Sequence, residues 1–445
     1  MQNYKEFFKN KKVTIMGLGI LGRGLGYTKF LAECGADLIV TDLKTKEQLA
    51  TSIKALGKYA NIKFILGEHR LEDFSGRDMI IKNPGVPLNS IYIKEAKKNN
   101  IPVEMDVSLF AKLAPEVVIV GVTGTRGKSM TTALIYEILS RNIKEKKVYL
   151  GGNVRGVATL PLLEKVKAGD ILVCELDSWQ LQGFGEAKIS PHISVFTSFM
   201  PDHMNYYKDD MKTYFNDKAN IFKYQKEKDV LIIRPDVEKL IPENLESKLI
   251  IANAKNVEKY KFIVPGEHQR ENLACAVFVA KQFNIPVSKI IQAVKNFKGL
   301  EGRLQYMKTV KGVKIYNDNN ATTPEATIAG IEALRQDTKG RNIILICGGA
   351  DKNLNLDDLV SAMDNYCKAI VLIPGTGTEK LKAIGYKLKD KMIETNSLNN
   401  AIKTALKNSQ KNDIILFSPA FASFGMFNNE YERNDLFMKI VKGLK

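Results

Sequence analysis

The sequence predicts an α/β protein of three domains, and three observations predict it. The chain has 445 residues, more than the roughly 100–200 that one domain usually takes. Apolar runs of strand length alternate with helical patterns to the end of the chain, the order that builds mostly parallel sheets. Two glycine-rich strand-to-helix turns, at 17–22 and 123–129, open separate blocks, and a third block begins near residue 300. The expected architecture is a Rossmann-like N-terminal domain over 1–113, a central P-loop ATPase-type parallel-sheet domain over 114–299, and a C-terminal Rossmann-like α/β domain over 300–445.

In the first block, Val13-Thr14-Ile15-Met16 reads as a strand, Gly17-Leu18-Gly19-Ile20-Leu21-Gly22 as a turn, and the chain to Leu31 as a helix. The second strand, Leu38 to Asp42, ends in an acid 20 residues past Gly22. A G-x-G-x-x-G in this βαβ setting places a diphosphate on the helix N-terminus and lets Asp42 meet a polar group beyond it. The plainer reading is that Gly17, Gly19 and Gly22 serve close strand–helix packing.

The second block opens on the buried strand Val117-Val118-Ile119-Val120, followed by Gly121-Val122-Thr123-Gly124-Thr125-Arg126-Gly127-Lys128-Ser129 and an amphipathic helix over Met130 to Leu139. This is a phosphate-cradling loop. Gly124 and Gly127 let backbone N–H groups close on phosphate oxygens, Lys128 neutralises the β/γ end, and Ser129 offers a hydroxyl to Mg²⁺. Val122 stands where the strict pattern has glycine, so Gly124 leads instead. The strand Ile171 to Glu175 ends in a carboxylate, where a Mg²⁺-holding acid lies in such proteins. The strand Ile193 to Thr197 is followed by Pro201-Asp202-His203, and helices are expected over about 272–283 and 287–297. In the third block, strands over 312–318, 343–349 and 414–419 end in polar or glycine-rich loops, the positions at which ligands gather in such sheets.

Composition narrows the function classes. Lys and Arg outnumber Asp and Glu by 66 to 49, a net charge of +17. The excess suits anionic partners, but the basic residues form no single block, and no zinc finger, RNA-recognition signature or aromatic-basic stripe accompanies them. No nucleic-acid partner is expected. No apolar run reaches the ~18–20 residues of a membrane helix, and the polar start Met1-Gln2-Asn3-Tyr4-Lys5-Glu6 has no signal-peptide core. The five cysteines are scattered and make no C-x-x-C, which fits a reducing compartment. The expectation is a cytoplasmic protein that binds no membrane.

Ordered motifs carry a resemblance. Thr123-Gly124-Thr125-Arg126-Gly127-Lys128-Ser129 matches T-G-T-N-G-K-[ST], with Arg126 for Asn. Gly151-Gly152-Asn153-Val154 matches a G-N-[IV] turn. Glu175-Leu176-Asp177-Ser178-Trp179-Gln180-Leu181 matches E-x-S-S-[FWY]-Q-L, with Asp177 for Ser. Pro201-Asp202-His203-Met204 matches D-H-[ML], and Asp217-Lys218-Ala219 follows fifteen residues on. His268-Gln269-Arg270-Glu271-Asn272 matches H-N-x-x-N, with Gln269 for Asn. Gly302-Arg303-Leu304, Asn317-Asp318-Asn319-Asn320-Ala321-Thr322 (N-D-S-K-A-T, Asn320 for Lys), Gly348-Gly349-Ala350-Asp351-Lys352 and Ser418-Pro419-Ala420-Phe421-Ala422-Ser423-Phe424 complete the series. The chain resembles the Mur ligases, ATP-dependent amide-bond-forming enzymes of peptidoglycan synthesis. Within them it is most similar to the D-glutamate-adding branch, to which Asn83-Pro84-Gly85-Val86 also points.

The resemblance implies a reaction and a division of roles. ATP phosphorylates the carboxylate of UDP-N-acetylmuramoyl-L-alanine, and the amine of D-glutamate displaces phosphate. Lys128, His203 and Lys218 are the catalytic residues it implies. ATP falls to Gly124, Thr125, Arg126, Gly127, Lys128, Ser129, Asn153, Asn272, Arg303 and Asp318. Substrate falls to Gly17, Gly19, Gly22, Asp42, Asn83, Gly85, Ser178, Gln180, Thr322, Lys352, Ser423 and Phe424. Mg²⁺ or Mn²⁺ falls to Ser129, Glu175, His203 and Lys218, the last as a carbamate derived from CO₂. A monomer is expected. Asn320 and Glu430 depart from the residues expected near substrate. Competing readings are a Mur-type ligase for another amino acid, a folylpolyglutamate-type ligase, an NAD-dependent oxidoreductase with an accessory ATPase, and a non-catalytic P-loop scaffold.

Overall fold

The computed structural model describes residues 3–20, 22–335 and 340–444, so Leu21 of the first glycine turn lies outside the described residues. The chain divides into two compact units: Met1–Lys259 with Glu271–Val294, and Tyr260–Arg270 with Lys295–Lys445.

The first unit holds two wholly parallel sheets. One runs Ile62–Leu66, Asp37–Asp42, Lys12–Met16, Met79–Lys82, Val103–Glu104. The other runs Lys248–Ile251, Val230–Ile233, Ile193–Phe196, Val118–Thr123, Ile171–Glu175, Val148–Gly152. Their inner strands, such as Val118–Thr123, Ile171–Glu175 and Ile193–Phe196, are almost wholly buried apolar runs, whereas the edge strand Lys248–Ile251 is mostly exposed. The two sheets share one core, in which Val13 and Leu38 of the first and Ile119, Leu172 and Leu231 of the second are buried in a single cluster. In each sheet the order reverses beside a glycine turn. The turn at 17–22 leaves Lys12–Met16 and faces the loop after Met79–Lys82 across that switch. The loop at 124–127 leaves Val118–Thr123 beside Ile193–Phe196. Crevices at such switches are where ligands bind in parallel sheets.

The two sheets are also joined by polar contacts. The buried Asp106, first residue of the helix Asp106–Leu113, accepts hydrogen bonds from the backbone N–H of Thr159 (2.8 Å) and Leu160 (2.7 Å).

The second unit holds one six-stranded sheet: Gln305–Val310, Val313–Asn317, Ile414–Phe417, Ile343–Cys347, Cys367–Leu372, Met392–Glu394. The first pair is an antiparallel hairpin; the rest is parallel. The C-terminal domain is therefore a mixed sheet, antiparallel at one edge. Alternate residues of Ile343–Cys347 enter different cores, Ile343, Leu345 and Cys347 on one face and Ile344 and Ile346 on the other. That alternation explains why an unbroken apolar run makes a strand here. All five cysteines are buried and unpaired.

Candidate active site

The phosphate-type loop is built by close approach. Gly127 caps the helix Lys128–Asn142 with φ of 91°, and a Cβ there would stand 2.5 Å from Asn272 Oδ1. Gly124 has φ of 140°, and a Cβ would meet Thr197 Oγ1 at 2.1 Å. Both positions combine a left-handed backbone with close neighbours, the Ser198 backbone at Gly124 and the Asn272 side chain at Gly127, so a side chain at either is strained. The loop is tied to the neighbouring strand end: Thr125 N–H donates to Ser198 O (2.7 Å), Arg126 N–H to Ser198 Oγ (2.9 Å), and Thr197 Oγ1 to Arg126 O (2.5 Å).

Arg126, which replaces an Asn of the motif, donates from its guanidinium to Asp202 Oδ2 at 2.8 Å. The replacement thus ties the phosphate-type loop to the Asp-His segment. Lys128 Nζ donates to Gly124 O (3.0 Å) and Thr125 O (3.1 Å).

Lys218 comes from 94 residues away and donates to the same Gly124 O at 2.9 Å, with its Nζ 4.8 Å from the Tyr214 ring centroid. It is 1 % exposed. Burial pushes its pKa well below the usual lysine value, and the Lys128 ammonium pushes the same way. His203 adopts a left-handed conformation (φ 57°) and packs against Trp179, with ring centroids 4.7 Å apart. Burial pushes its pKa down, and Lys128 and Lys218 add to the effect while Asp202 opposes it. Lys128 thus disfavours the charged form of both His203 and Lys218.

Glu175 is buried at its strand end, and its carbonyl accepts the Asn153 N–H at 2.7 Å, which brings the Gly-Gly-Asn turn to the same edge. The Asp at 177 has a local cause: it caps the helix Ser178–Ala187 in a capping box, accepting from Gln180 N–H (2.8 Å) while Gln180 Oε1 accepts from Asp177 N–H (3.2 Å). Gln180 therefore spends its carbonyl oxygen on the helix end, and Ser178 beside it is buried.

In the first sheet, Asp42 accepts from the N–H of Gly19 and of Lys44, both at 2.9 Å. It shapes the glycine turn directly. Gly22 caps the helix Arg23–Glu33. Asn83 donates to Gly17 O (3.4 Å) and accepts from Gly85 N–H (3.3 Å), which joins the two loops of the switch. Sequence reasoning missed the residue before it. Lys82 is 1 % exposed and donates to Val86 O (2.9 Å) and Pro84 O (3.3 Å), clamping this loop. Burial pushes its pKa down to about 7, against the pull of Asp177, Asp217 and Glu186. The half-buried carboxylate of Asp217, which accepts from Gln182 Nε2 (2.8 Å) and Tyr207 Oη (3.0 Å), was missed as well.

In the second unit, four predicted substrate residues share one cavity of about 280 Å³: Thr322, Lys352, Ser423 and Phe424. They come from the loops after three adjacent strands, Val313–Asn317, Ile414–Phe417 and Ile343–Cys347. Lys352 Nζ donates to Thr322 Oγ1 at 3.0 Å. Arg303 and the two departures, Asn320 and Glu430, line the same cavity. Asp318 lies behind it, accepting from Leu304 N–H and Ser418 Oγ (both 3.0 Å), and burial pushes its pKa up to about 7. Behind the cavity also lies Arg433, missed by the sequence reading. It is fully buried, and its guanidinium donates to Asn319 Oδ1 (2.8 Å), Asn319 O (3.0 Å) and Phe421 O (3.4 Å). It joins the loop of Asn320 and Thr322 to that of Ser423 and Phe424.

A phosphate-cradling loop in one parallel sheet, a dinucleotide-type turn in another and a polar cavity in a third define a nucleotide-using enzyme. Comparison with known proteins specifies it. Family models match residues 11–104 (Mur ligase MurD-like, N-terminal domain), 122–248 (Mur ligase middle domain) and 302–421 (Mur ligase, glutamate ligase domain). The chain is 36% identical to the UDP-N-acetylmuramoylalanine--D-glutamate ligase of Borreliella afzelii (strain PKo), over 97% of this chain and 98% of that one. It is 34% identical to the ligase of the same name from Roseiflexus sp. (strain RS-1), over 97% and 98%. Among solved structures it resembles the UDP-N-acetylmuramate-alanine ligase MurC of Thermotoga maritima (TM-score 0.61, 18% identity, 97% and 99% covered). It also resembles the MurF ligase of that organism in complex with ADP (TM-score 0.58, 16% identity, 98% and 96% covered); at these identities the likeness is one of fold. The chain belongs to the Mur ligase family, and it is an ATP-dependent amide-forming ligase.

Proposed function

We propose that the chain joins D-glutamate to UDP-N-acetylmuramoyl-L-alanine with cleavage of ATP, a step of peptidoglycan synthesis in the cytoplasm, and acts as a monomer with its labour divided over 1–113, 114–299 and 300–445. The observation that carries this is the near-full-length likeness to ligases of that name. Three features support it: the switch-point loops of the first sheet, the phosphate-type loop of the second, and the cavity of the third with Lys352 and Ser423 on its wall. No helix among the described residues is long and apolar enough to cross a membrane.

In this reading Gly17, Gly19, Gly22, Asp42, Asn83 and Gly85 hold the UDP part, and Ser178 and Gln180 flank the substrate from the central sheet. The loop from Gly124 to Ser129, with Asn153 and Asn272, takes the nucleotide. Arg303 and Asp318 are assigned to it on the family resemblance alone, since they belong to the other unit. Lys128 stabilises charge on the transferring phosphoryl group, where preorganised cations act most strongly. Thr322, Lys352, Ser423 and Phe424 take the amino acid.

Among the described residues no three His, Cys, Asp or Glu side chains gather to hold a metal by themselves. Glu175, His203, the Ser129 hydroxyl and a carbamate on Lys218 form a sparse, mainly oxygen donor set. Such a set suits Mg²⁺ or Mn²⁺, which keep phosphate and water ligands; the ion would neutralise phosphate charge. Lys218 supports the carbamate because its desolvated amine, beside a second ammonium, favours the neutral form that adds CO₂.

The test is phosphate release with UDP-N-acetylmuramoyl-L-alanine, ATP and single amino acids. Turnover with D-glutamate is expected. Equal turnover with L-glutamate, L-lysine or meso-diaminopimelate would overturn the assignment in favour of a Mur-type ligase for another residue.

A further inference from the structure

The cavity of the second unit contains a charge that a pocket for a dicarboxylate does not need. Arg303 and Lys352 supply cations, and Thr322 and Ser423 supply hydroxyls. These suit the two carboxylates of an acidic amino acid. The same lining includes Glu430, the one carboxylate among the described residues that line the cavity. Near the same wall, Asn320 occupies a motif position at which a lysine was expected. Both departures lower the positive charge of a site whose ligand is an anion, so they need a reason.

An amino acid carries one more charge, its ammonium group. That group loses several strong hydrogen bonds to water on entering a cavity and needs acceptors there. We infer that Glu430 is the receptor for the ammonium group of the incoming amino acid, and that Asn320 leaves that corner uncharged so the ammonium can enter. The inference rests on the assignment of this cavity to the amino acid.

Several observations support it. Glu430 begins the helix Glu430–Lys442, and its backbone carbonyl accepts from Asn319 Nδ2 at 2.9 Å, which fixes the residue against the loop that carries Asn320. Glu430 is half-buried and lines the cavity. The nearest buried cation, Arg433, directs its guanidinium to Asn319 and Phe421 oxygens. Arg433 thereby ties the loop of Asn319 and Asn320 to that of Phe421 and Ser423. A first-turn acid also gains from the helix dipole, so a purely structural role must be separated by experiment.

The experiment compares D-glutamate with glutarate, the same dicarboxylate without its ammonium, in the full chain and in Glu430→Gln. D-glutamate is followed by KM in the phosphate-release assay, and glutarate as a competitive inhibitor against D-glutamate. Loss of a charge-assisted hydrogen bond should raise KM for D-glutamate about tenfold or more. Glutarate inhibition should stay equal or strengthen, because the variant removes a like charge. KM for ATP should not move. Glu430→Asp, which keeps the charge, should recover part of the loss. A variant in which D-glutamate and glutarate weaken together would show that Glu430 only shapes the cavity, and an unchanged KM would remove it from recognition. If the parent chain shows no turnover with D-glutamate but does with another amino acid, the assignment of substrate fails instead. The same comparison, made with that amino acid and its des-amino analogue, then decides the role of Glu430.

Discussion

Two lysine side chains meet one carbonyl oxygen: Lys128 and Lys218 both donate to Gly124 O, at 3.0 and 2.9 Å. Their situations differ, since Lys128 begins a helix at the loop while Lys218 is 1 % exposed. Burial, and after it the nearby Lys128 charge, disfavour the charged form of Lys218. The lowered pKa of Lys218 fits its proposed role, an amine ready to react with CO₂. Lys128→Ala should lower kcat by a factor of about 10²–10³, as loss of a preorganised donor does, while circular dichroism and Tm stay near those of the parent. Lys218→Ala should be close to inactive and partly restored by a short-chain carboxylic acid. Mass spectrometry after gentle trapping, or labelled bicarbonate followed by NMR, should find the carbamate on Lys218 and not in the variant. An active, unmodified variant would dismiss the carbamate. The motif Asp217-Lys218-Ala219 was legible in the sequence only through its resemblance to the family. Nothing local marks a lysine as destined for a loop 94 residues earlier.

At the scale of elements, local signals and long-range contacts divide the work. The capping box of Asp177 and Gln180 lies within three residues and is written in the sequence pattern. The contact of Asp106 with the Thr159 and Leu160 amides spans more than fifty residues and is not. Asp106→Ala should orphan two buried N–H groups at about 1–3 kcal/mol each, read as a lower Tm for the first unit. Asp106→Asn, which keeps one acceptor, should lose less. Lys82 likewise holds the loop after its strand, and its pKa of about 7 lies below the usual lysine value. Below pH 7 both folded and unfolded chains hold that proton, and its burial costs a constant amount. Between pH 7 and the ordinary lysine pKa the unfolded chain holds more protons, so stability rises with pH across that window. Denaturant titrations at several pH values should show this rise in the parent relative to Lys82→Met. Equal slopes in the two proteins would mean that Lys82 titrates normally.

The whole molecule is three sheets in two units, because the first two sheets share a core while the third has cores of its own on both faces. Calorimetry is expected to resolve two transitions. UDP-N-acetylmuramoyl-L-alanine at about 100 times its Kd should stabilise the first unit by about 2.7 kcal/mol and leave the other transition in place. A single transition raised as a block would show that the units unfold together. The sequence by itself determined the alternation of strands and helices, the two glycine turns and the strand-end acids, because period, turn chemistry and spacing act over a few residues. The family resemblance proposed Thr322, Lys352, Ser423 and Phe424 for the substrate, and the structure makes them neighbours in one cavity. Only the tertiary structure decided which distant groups meet: Lys218 with Gly124, Arg126 with Asp202, Arg433 with Asn319, and Glu430 with the cavity of Lys352. Those meetings follow from strand order and from which face each helix buries, and sheet order leaves no periodic mark in the chain.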